Sequence, residues 1–190
     1  VMSEEAAIVL RQQIEAFEAA QGEPLHGTQR TKCSLLFPCV YDLFTSEAVL
    51  DVVEDLIGPN ILQYQCGAWF KEPESGSYVS WHQDCTYYGL APLELVSGWV
   101  ALSPATAETG CMQVAPGSHK AGALPVNNSE LNDDNLLASG MRAHIDIDES
   151  KTVLMELRPG EMSLHHVALV HSSRPNHGND RRMGISGGYI

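Results

Sequence analysis

Between residues 3 and 21, Ala6, Ile8, Val9, Ile14 and Phe17 recur at helical spacing among Glu, Gln and Arg, with Ser3 placed to cap the start and Gly22 just beyond the end. This predicts an amphipathic helix. A second helix is predicted over about 46–57, where Val49, Leu50, Val53, Leu56 and Ile57 form a stripe and Gly58-Pro59 stops it. From Ile61 onward the pattern changes to short apolar or alternating runs divided by Gly, Pro, Asn and Ser, which predicts strands and turns. The expected strands are Ile61–Lys71, Tyr78–His82, Val96–Leu102, Cys111–Val114, Arg142–Ile147, Thr152–Leu157, Glu161–Val170 and Met183–Ile190. They suit a double-sheet jelly roll over about 61–190, with helices of about 3–57 buttressing one side. Residues Ala121–Ser139, rich in Asn, Asp and small residues, predict a long surface excursion of the kind that serves as a lid. No internal repeat and no linker divides the chain. Residues 1–190 are therefore expected to form one domain, mainly β with flanking α-helices.

Composition narrows the function classes. The chain has 190 residues, 44% hydrophobic and 18% charged, which suits one globular unit, and no apolar run approaches the roughly 18 residues of a membrane span. Eleven Lys and Arg against 24 Asp and Glu give a net charge of −13, a field that repels phosphate backbones and anionic lipid. Neither nucleic acid nor a membrane is an expected partner. Five cysteines, none in a C-x-x-C arrangement, suggest neither a disulfide framework nor a four-thiolate zinc site, so a reducing, cytoplasmic setting is expected. The start, Val1-Met2-Ser3-Glu4-Glu5, lacks the basic-then-apolar layout of a signal peptide.

The most informative triplet is His82-Gln83-Asp84. On a strand, side chains at i and i+2 share a face, whereas on a helix they diverge by about 200°. An imidazole nitrogen and a carboxylate oxygen on one face can both approach a divalent metal at about 2.0–2.2 Å. The triplet is short, and a strand-end hydrogen bond is the structural alternative. A third ligand must come from far along the chain, and Leu164–Asn176 offers His165, His166 and His171. Two His and one carboxylate form a facial triad that leaves three adjacent positions open on iron(II), as oxygen chemistry requires. Zinc hydrolysis could use the same donors, but there is no H-E-x-x-H and no separate carboxylate at motif spacing to act as base.

Trp81-His82-Gln83-Asp84 is followed by Ser103 to Met112, then by Pro116-Gly117-Ser118-His119-Lys120, and finally by His171-Ser172-Ser173-Arg174-Pro175-Asn176 and Arg182. In these ordered blocks, over roughly residues 35–190, the chain resembles the phytanoyl-CoA dioxygenase family. The resemblance implies an iron(II) and 2-oxoglutarate dependent oxygenase on a cupin-like double-stranded β-helix that consumes molecular oxygen. It implies His82, Asp84 and His171 as iron ligands and Arg182, eleven positions past His171, as the partner of the far carboxylate of 2-oxoglutarate. Ser173 and Trp99 match positions lining the co-substrate pocket. Arg suits a distal carboxylate because its planar fork makes two hydrogen bonds where Lys makes point contacts. Arg181 is the runner-up, since a slip of one residue on a strand exchanges faces. Related halogenases carry a small residue at the carboxylate position, so Asp84 favours hydroxylation of substrate with release of succinate and carbon dioxide. Family members extend beyond both ends of this chain, so truncation at both ends is expected.

Other residues are expected to be structural. Tyr78, Trp81, Tyr87 and Tyr88 read as packing around the triplet, Lys71 as solvated, Cys85 and Cys111 as buried small hydrophobes, and His119 as a turn or outlying group. Eleven scattered basic residues do not suit a CoA thioester, and a small neutral, zwitterionic or cationic metabolite is the expected substrate class. The alternatives are a non-catalytic metal-binding cupin-like module and a zinc-dependent hydrolase. The residues carry no sign of oligomeric state.

Overall fold

A computed structural model describes residues 1–190. The helices are α1 (Glu4–Gln21), α2 (Gly27–Thr31), α3 (Cys33–Leu36), α4 (Pro38–Phe44), α5 (Glu47–Ile57) and, later, α6 (Cys85–Tyr88). The strands are β1 (Gln63–Lys71), β2 (Val79–His82), β3 (Val96–Ala101), β4 (Met112–Val114), β5 (Val126–Asn127), β6 (Arg142–Ala143), β7 (Val153–Met155), β8 (Met162–His166), β9 (His171–Ser173) and β10 (Arg182–Tyr189). Two four-stranded antiparallel sheets, ordered β1-β10-β3-β8 and β2-β9-β4-β7, face each other as a double-stranded β-helix.

Alternation along the first sheet explains both layers. Phe70, Ala68 and Cys66 of β1, Met183 and Ile185 of β10, Val100 of β3 and Met162 and Leu164 of β8 share the outer face and pack against the helices. Period-2 alternation then turns Lys71, Trp69, Arg182, Ser186, Trp99, Ser97 and His165 toward the space between the sheets. Helix α1 presents Ala7, Leu10 and Ile14 to the core; Ser3 Oγ accepts the Ala6 N–H at 3.1 Å, and Gly22, at φ 81°, ends the helix in the left-handed region. Phe44 of α4 lies flat on β10, where a Cβ at Gly187 would come within 2.5 Å of its ring, and the Tyr189 hydroxyl donates to the Phe44 carbonyl at 2.8 Å. A fully buried Phe of this kind contributes roughly 1.5–3 kcal/mol. Ion pairs complete the attachment: Arg11 forks onto Asp180 at 2.6 and 2.7 Å, and Arg181 meets both Glu18 of α1 and Glu72.

The elements differ from the sequence expectation in four places. Residues 27–44 form three short helices where none was expected. The expected strand Glu161–Val170 stops at His166, because the Leu169 N–H turns back to the His166 carbonyl at 2.8 Å, and β9 begins separately at His171. The expected strand Arg142–Ile147 is reduced to β6, which pairs only with β5 outside the main sheets. The Ala121–Ser139 excursion is also less peripheral than expected. Asn135 and Leu137 are buried, and the Asn135 side chain donates to Ser80 Oγ of β2 at 3.0 Å.

Candidate metal centre and adjoining pocket

His82 and His171 are direct partners across the β2–β9 pair, so both imidazoles enter the space between the sheets from neighbouring positions, with ring centroids 4.1 Å apart. Each ring is fixed from behind in the same way. His82 Nδ1 lies 2.8 Å from the Ser80 carbonyl, and His171 Nδ1 lies 2.9 Å from the Leu169 carbonyl, two residues upstream in both cases. A carbonyl oxygen can only accept, so each Nδ1 carries a proton and each Nε2 is the nitrogen turned toward the space between the sheets. Burial first, and then the neighbouring His82, push the His171 pKa down to about 3, leaving a neutral imidazole at pH 7.

Asp84 reaches the same point by a turn rather than along a strand. β2 ends at His82, and Asp84 has helical backbone angles (φ −60°, ψ −36°) at the entry to α6. The expectation that the triplet is extended throughout is therefore corrected. Gln83, completely buried, holds the turn: its amide donates to the Gly122 carbonyl at 2.9 Å and the Ala168 carbonyl at 2.7 Å, and its oxygen accepts from the Leu124 N–H at 2.8 Å. Burial alone would raise the Asp84 pKa, but the imidazoles around it, His171 foremost, outweigh burial and hold it well below the usual carboxylate range. One donor atom each from His82, Asp84 and His171 lies within 4.8 Å of the other two. Two imidazole nitrogens and a carboxylate oxygen converging on one point, the histidines buried and the aspartate half-buried, fit a divalent metal of the iron or zinc type.

The cavity beside these donors is lined by Trp69, Ser97, Trp99, His165, Ser173 and Arg182, among others. Arg182 is 4% exposed; its guanidinium carbon stands 5.3 Å from the Trp99 ring centroid, and its Nε has no hydrogen-bond partner. Trp99 can lie there because position 184 is glycine, where a Cβ would come within 1.8 Å of the indole. Directly opposite Arg182 in the β1–β10 register stands Lys71, 1% exposed, against the expectation of a solvated side chain. Its Nζ donates to Ser173 Oγ at 2.6 Å and the Arg174 carbonyl at 2.5 Å. Burial, then the charge of Arg182, push Lys71 down to about 6, and burial pushes Arg182 down to about 10. Neither basic group has a carboxylate of this chain as a partner. The buried charge of Arg182, beside a Lys71 amine that burial drives toward its neutral form, is costly unless an anion from outside joins it and draws the Lys71 proton back. A ligand carboxylate fits that place.

The other candidates separate cleanly. Arg181 faces away from the cavity toward α1, and its guanidinium sits over Phe70. His166 lies on the opposite face of β8 from His165; it accepts the Ala168 N–H and packs near His119, ring centroids 5.6 Å apart. Tyr88 lines the cavity and stacks edge-on with Tyr64, whereas Trp81 packs into a small core with Ala143 and Val170. Cys85 and Cys111 are buried free thiols. Among the cavity's lining residues, Asp84 is the one carboxylate.

Comparison with known proteins was consistent with this geometry. The profile of the family described as phytanoyl-CoA dioxygenase matches residues 2–184. A probable alpha-ketoglutarate-dependent hypophosphite dioxygenase of Stutzerimonas stutzeri is 30% identical over 174 residues, covering 91% of this chain and 60% of that protein. Peroxisomal phytanoyl-CoA dioxygenase of Homo sapiens is 30% identical over 148 residues, covering 75% of this chain and 43% of that protein. The chain thus spans about half the length of the curated relatives it matches. Among solved structures, the apo form of the non-heme monooxygenase ThoJ superposes with a TM-score of 0.83 at 32% identity, covering 98% of this chain and 68% of that one. No helix is long and apolar enough to cross a membrane.

Proposed function

The chain belongs to the phytanoyl-CoA dioxygenase family, and from that premise we propose that it is an iron(II) and 2-oxoglutarate dependent dioxygenase that hydroxylates a small-molecule metabolite. In this reading His82, Asp84 and His171 hold the iron, Arg182 and Lys71 receive the far carboxylate of 2-oxoglutarate, and Ser173 and Trp99 line its path. One observation carries the reading: the His82, Asp84, His171 cluster shares its cavity with the buried guanidinium of Arg182, beside which lies the buried amine of Lys71, and neither basic group meets a carboxylate of this chain. Bound iron(II) and 2-oxoglutarate supply the oxidation, one oxygen atom going to substrate and one to succinate, with carbon dioxide released.

The chain's own residues orient and isolate. The carbonyls of Ser80 and Leu169 keep the two imidazoles in the tautomer that offers Nε2. Gln83 ties the turn carrying Asp84 to residues 122–124 and 168, so the ligand turn and the base of the long excursion move as one piece. Trp99 keeps Arg182 aligned across the cavity, and the walls of Trp69, Trp99 and Tyr88 exclude water.

Hydrolysis by zinc is disfavoured because the cavity offers no carboxylate beyond Asp84 to serve as base. An acyl-CoA is disfavoured by the net charge of −13. A small neutral, zwitterionic or cationic substrate accords with that net charge. The test is anaerobic loading with iron(II) and 2-oxoglutarate, then admission of oxygen and measurement of succinate while candidate metabolites are screened. Oxygen-dependent succinate that requires both iron(II) and Asp84 is expected. Metal binding without any succinate would favour the non-catalytic module, and turnover with zinc alone would favour hydrolysis.

A further inference from the structure

The two oxygens of Asp84 face different surroundings. Oδ1 looks toward the metal-ligating side, 3.4 Å from His82 Nε2 and 3.8 Å from His171 Nε2. Oδ2 looks the other way, toward the first sheet: it accepts the Ser97 hydroxyl at 2.6 Å and lies 3.4 Å from His165 Nε2. Ser97 and His165 are register partners across the β3–β8 pair and project from the same face. The carboxylate is therefore bracketed, imidazoles on one oxygen and a hydroxyl with a third imidazole on the other.

His165 is unlike the other two cavity histidines. It is buried, yet neither ring nitrogen makes a hydrogen bond within the chain, and no backbone carbonyl stands behind its Nδ1. Its contact with Oδ2 is close in distance but lacks hydrogen-bond alignment. Its ring stands edge-on to His171 with centroids 4.8 Å apart, which places it beside the donor cluster rather than within it. A buried imidazole with both nitrogens unpaired and a carboxylate oxygen at 3.4 Å is a donor waiting for its acceptor.

Resting on the functional reading above, we propose that Ser97 and His165 form an outer clamp that occupies Oδ2 and leaves Asp84 to bind metal through Oδ1 alone. The consequence is a matter of counting. Iron(II) takes six ligands; two imidazoles and one carboxylate oxygen leave three places, enough for a chelating co-substrate and for oxygen. A carboxylate binding through both oxygens would remove one of the three. Ser97 and His165 are thus positioning residues that act through Asp84.

The experiment uses cobalt(II) as a spectroscopic substitute, titrated anaerobically with and without 2-oxoglutarate, on the unaltered protein, Ser97→Ala, Ser97→Thr, His165→Leu, His165→Gln and His171→Ala. Ser97→Thr keeps the hydroxyl, and His165→Gln keeps an N–H donor near the position of Nε2. Ser97→Ala and His165→Leu are expected to weaken cobalt(II) binding by about ten- to a hundredfold. They are also expected to alter the intensity of the visible bands that report coordination number. Ser97→Thr and His165→Gln are expected to restore both readouts toward those of the unaltered protein, a recovery that a packing role alone would not give. Loss of cobalt(II) binding in His165→Leu as complete as in His171→Ala would overturn the clamp by making His165 a ligand. Binding and spectra unchanged in both loss variants, or loss without recovery in both conservative ones, would overturn it too. Failure of the unaltered protein to bind cobalt(II) would instead overturn the functional reading and the clamp with it.

Discussion

Arg181 and Arg182 are adjacent in the chain and serve opposite layers. Arg181 leaves the sheet on the helix side, where it pairs with the buried Glu18 of α1 and with Glu72. Arg182 enters the cavity beneath Trp99 and meets no carboxylate. Strand alternation assigns one arginine to stability and the other to ligand.

Exchanging each for Met separates the roles. Arg181→Met leaves Glu18 buried without its cation, a loss of about 3–5 kcal/mol when such a pair is broken from one side, with 2-oxoglutarate binding retained by protein that remains folded. Arg182→Met removes a buried unpaired charge, so thermal stability is expected to hold or rise while 2-oxoglutarate affinity falls at least tenfold. Thermal melts and 2-oxoglutarate titration of the metal-loaded protein check both. Equal effects of the two variants on co-substrate binding would contradict the assignment.

Lys71 should make both stability and co-substrate binding depend on pH. Its folded pKa of about 6 lies below the ordinary 10.5, so between these values the unfolded chain holds a proton that the folded chain has released. Stability from this group therefore rises with pH from about 6 to about 10.5 and is flat below about 6. Lys71→Met abolishes that slope and is expected to stabilise the anion-free protein at pH 7 by roughly 1–4 kcal/mol. A carboxylate arriving beside Lys71 draws the proton back, so 2-oxoglutarate should bind more tightly at pH 6 than at pH 8. Titrations in buffers of different ionisation enthalpy should show proton uptake in the unaltered protein and much less in Lys71→Met.

The metal cluster predicts a stabilisation that depends on three residues together. Metal at about a hundred times its dissociation constant raises the stability of a folded protein by about 2.7 kcal/mol. Iron(II) or cobalt(II) should raise the melting temperature of the unaltered chain, and His82→Ala, Asp84→Ala or His171→Ala should each remove most of that rise. A full metal-dependent shift surviving in His171→Ala would mean that another group, His165 foremost, completes the cluster.

Legibility of the sequence followed the range of the forces involved. Helices α1 and α5 and strands β1, β3 and β10 fall within about two residues of expectation because stripes, caps and alternation are local signals. The short helices over 27–44 carry too few turns for a stripe to be read. The break between β8 and β9 is a tight turn from His166 to Leu169, and the Ala168 carbonyl within it is held by Gln83 from 85 positions away, a partner no window on the sequence contains. The burial of Lys71 is likewise decided by its register opposite Arg182. His82, Asp84, His171, Arg182 and Ser173, which stand in the motif blocks, and Trp99, which the family resemblance adds, line one cavity. The sequence alone does not distinguish His165 among three neighbouring histidines, because period-2 alternation separates it from His166 only once the limits of β8 are known.

Gln83 links that long-range break to the site, and its removal should loosen the excursion before the ligands. Its side chain makes three hydrogen bonds, to Gly122, Leu124 and Ala168, and is fully buried. Gln83→Ala leaves two carbonyls and one N–H without their partner, each costing about 1–3 kcal/mol if water does not replace it. The expected result is faster proteolysis within residues 121–139 and weaker metal binding, because the same side chain holds the turn that aims Asp84. Gln83→Glu keeps the acceptor for Leu124 but, when ionised, sets a carboxylate against the carbonyls of Gly122 and Ala168, so it should be at least as damaging as Gln83→Ala. Limited proteolysis with and without cobalt(II) reads both effects, and protection by metal in the unaltered chain that persists undiminished in Gln83→Ala would show that the turn and the excursion are independent.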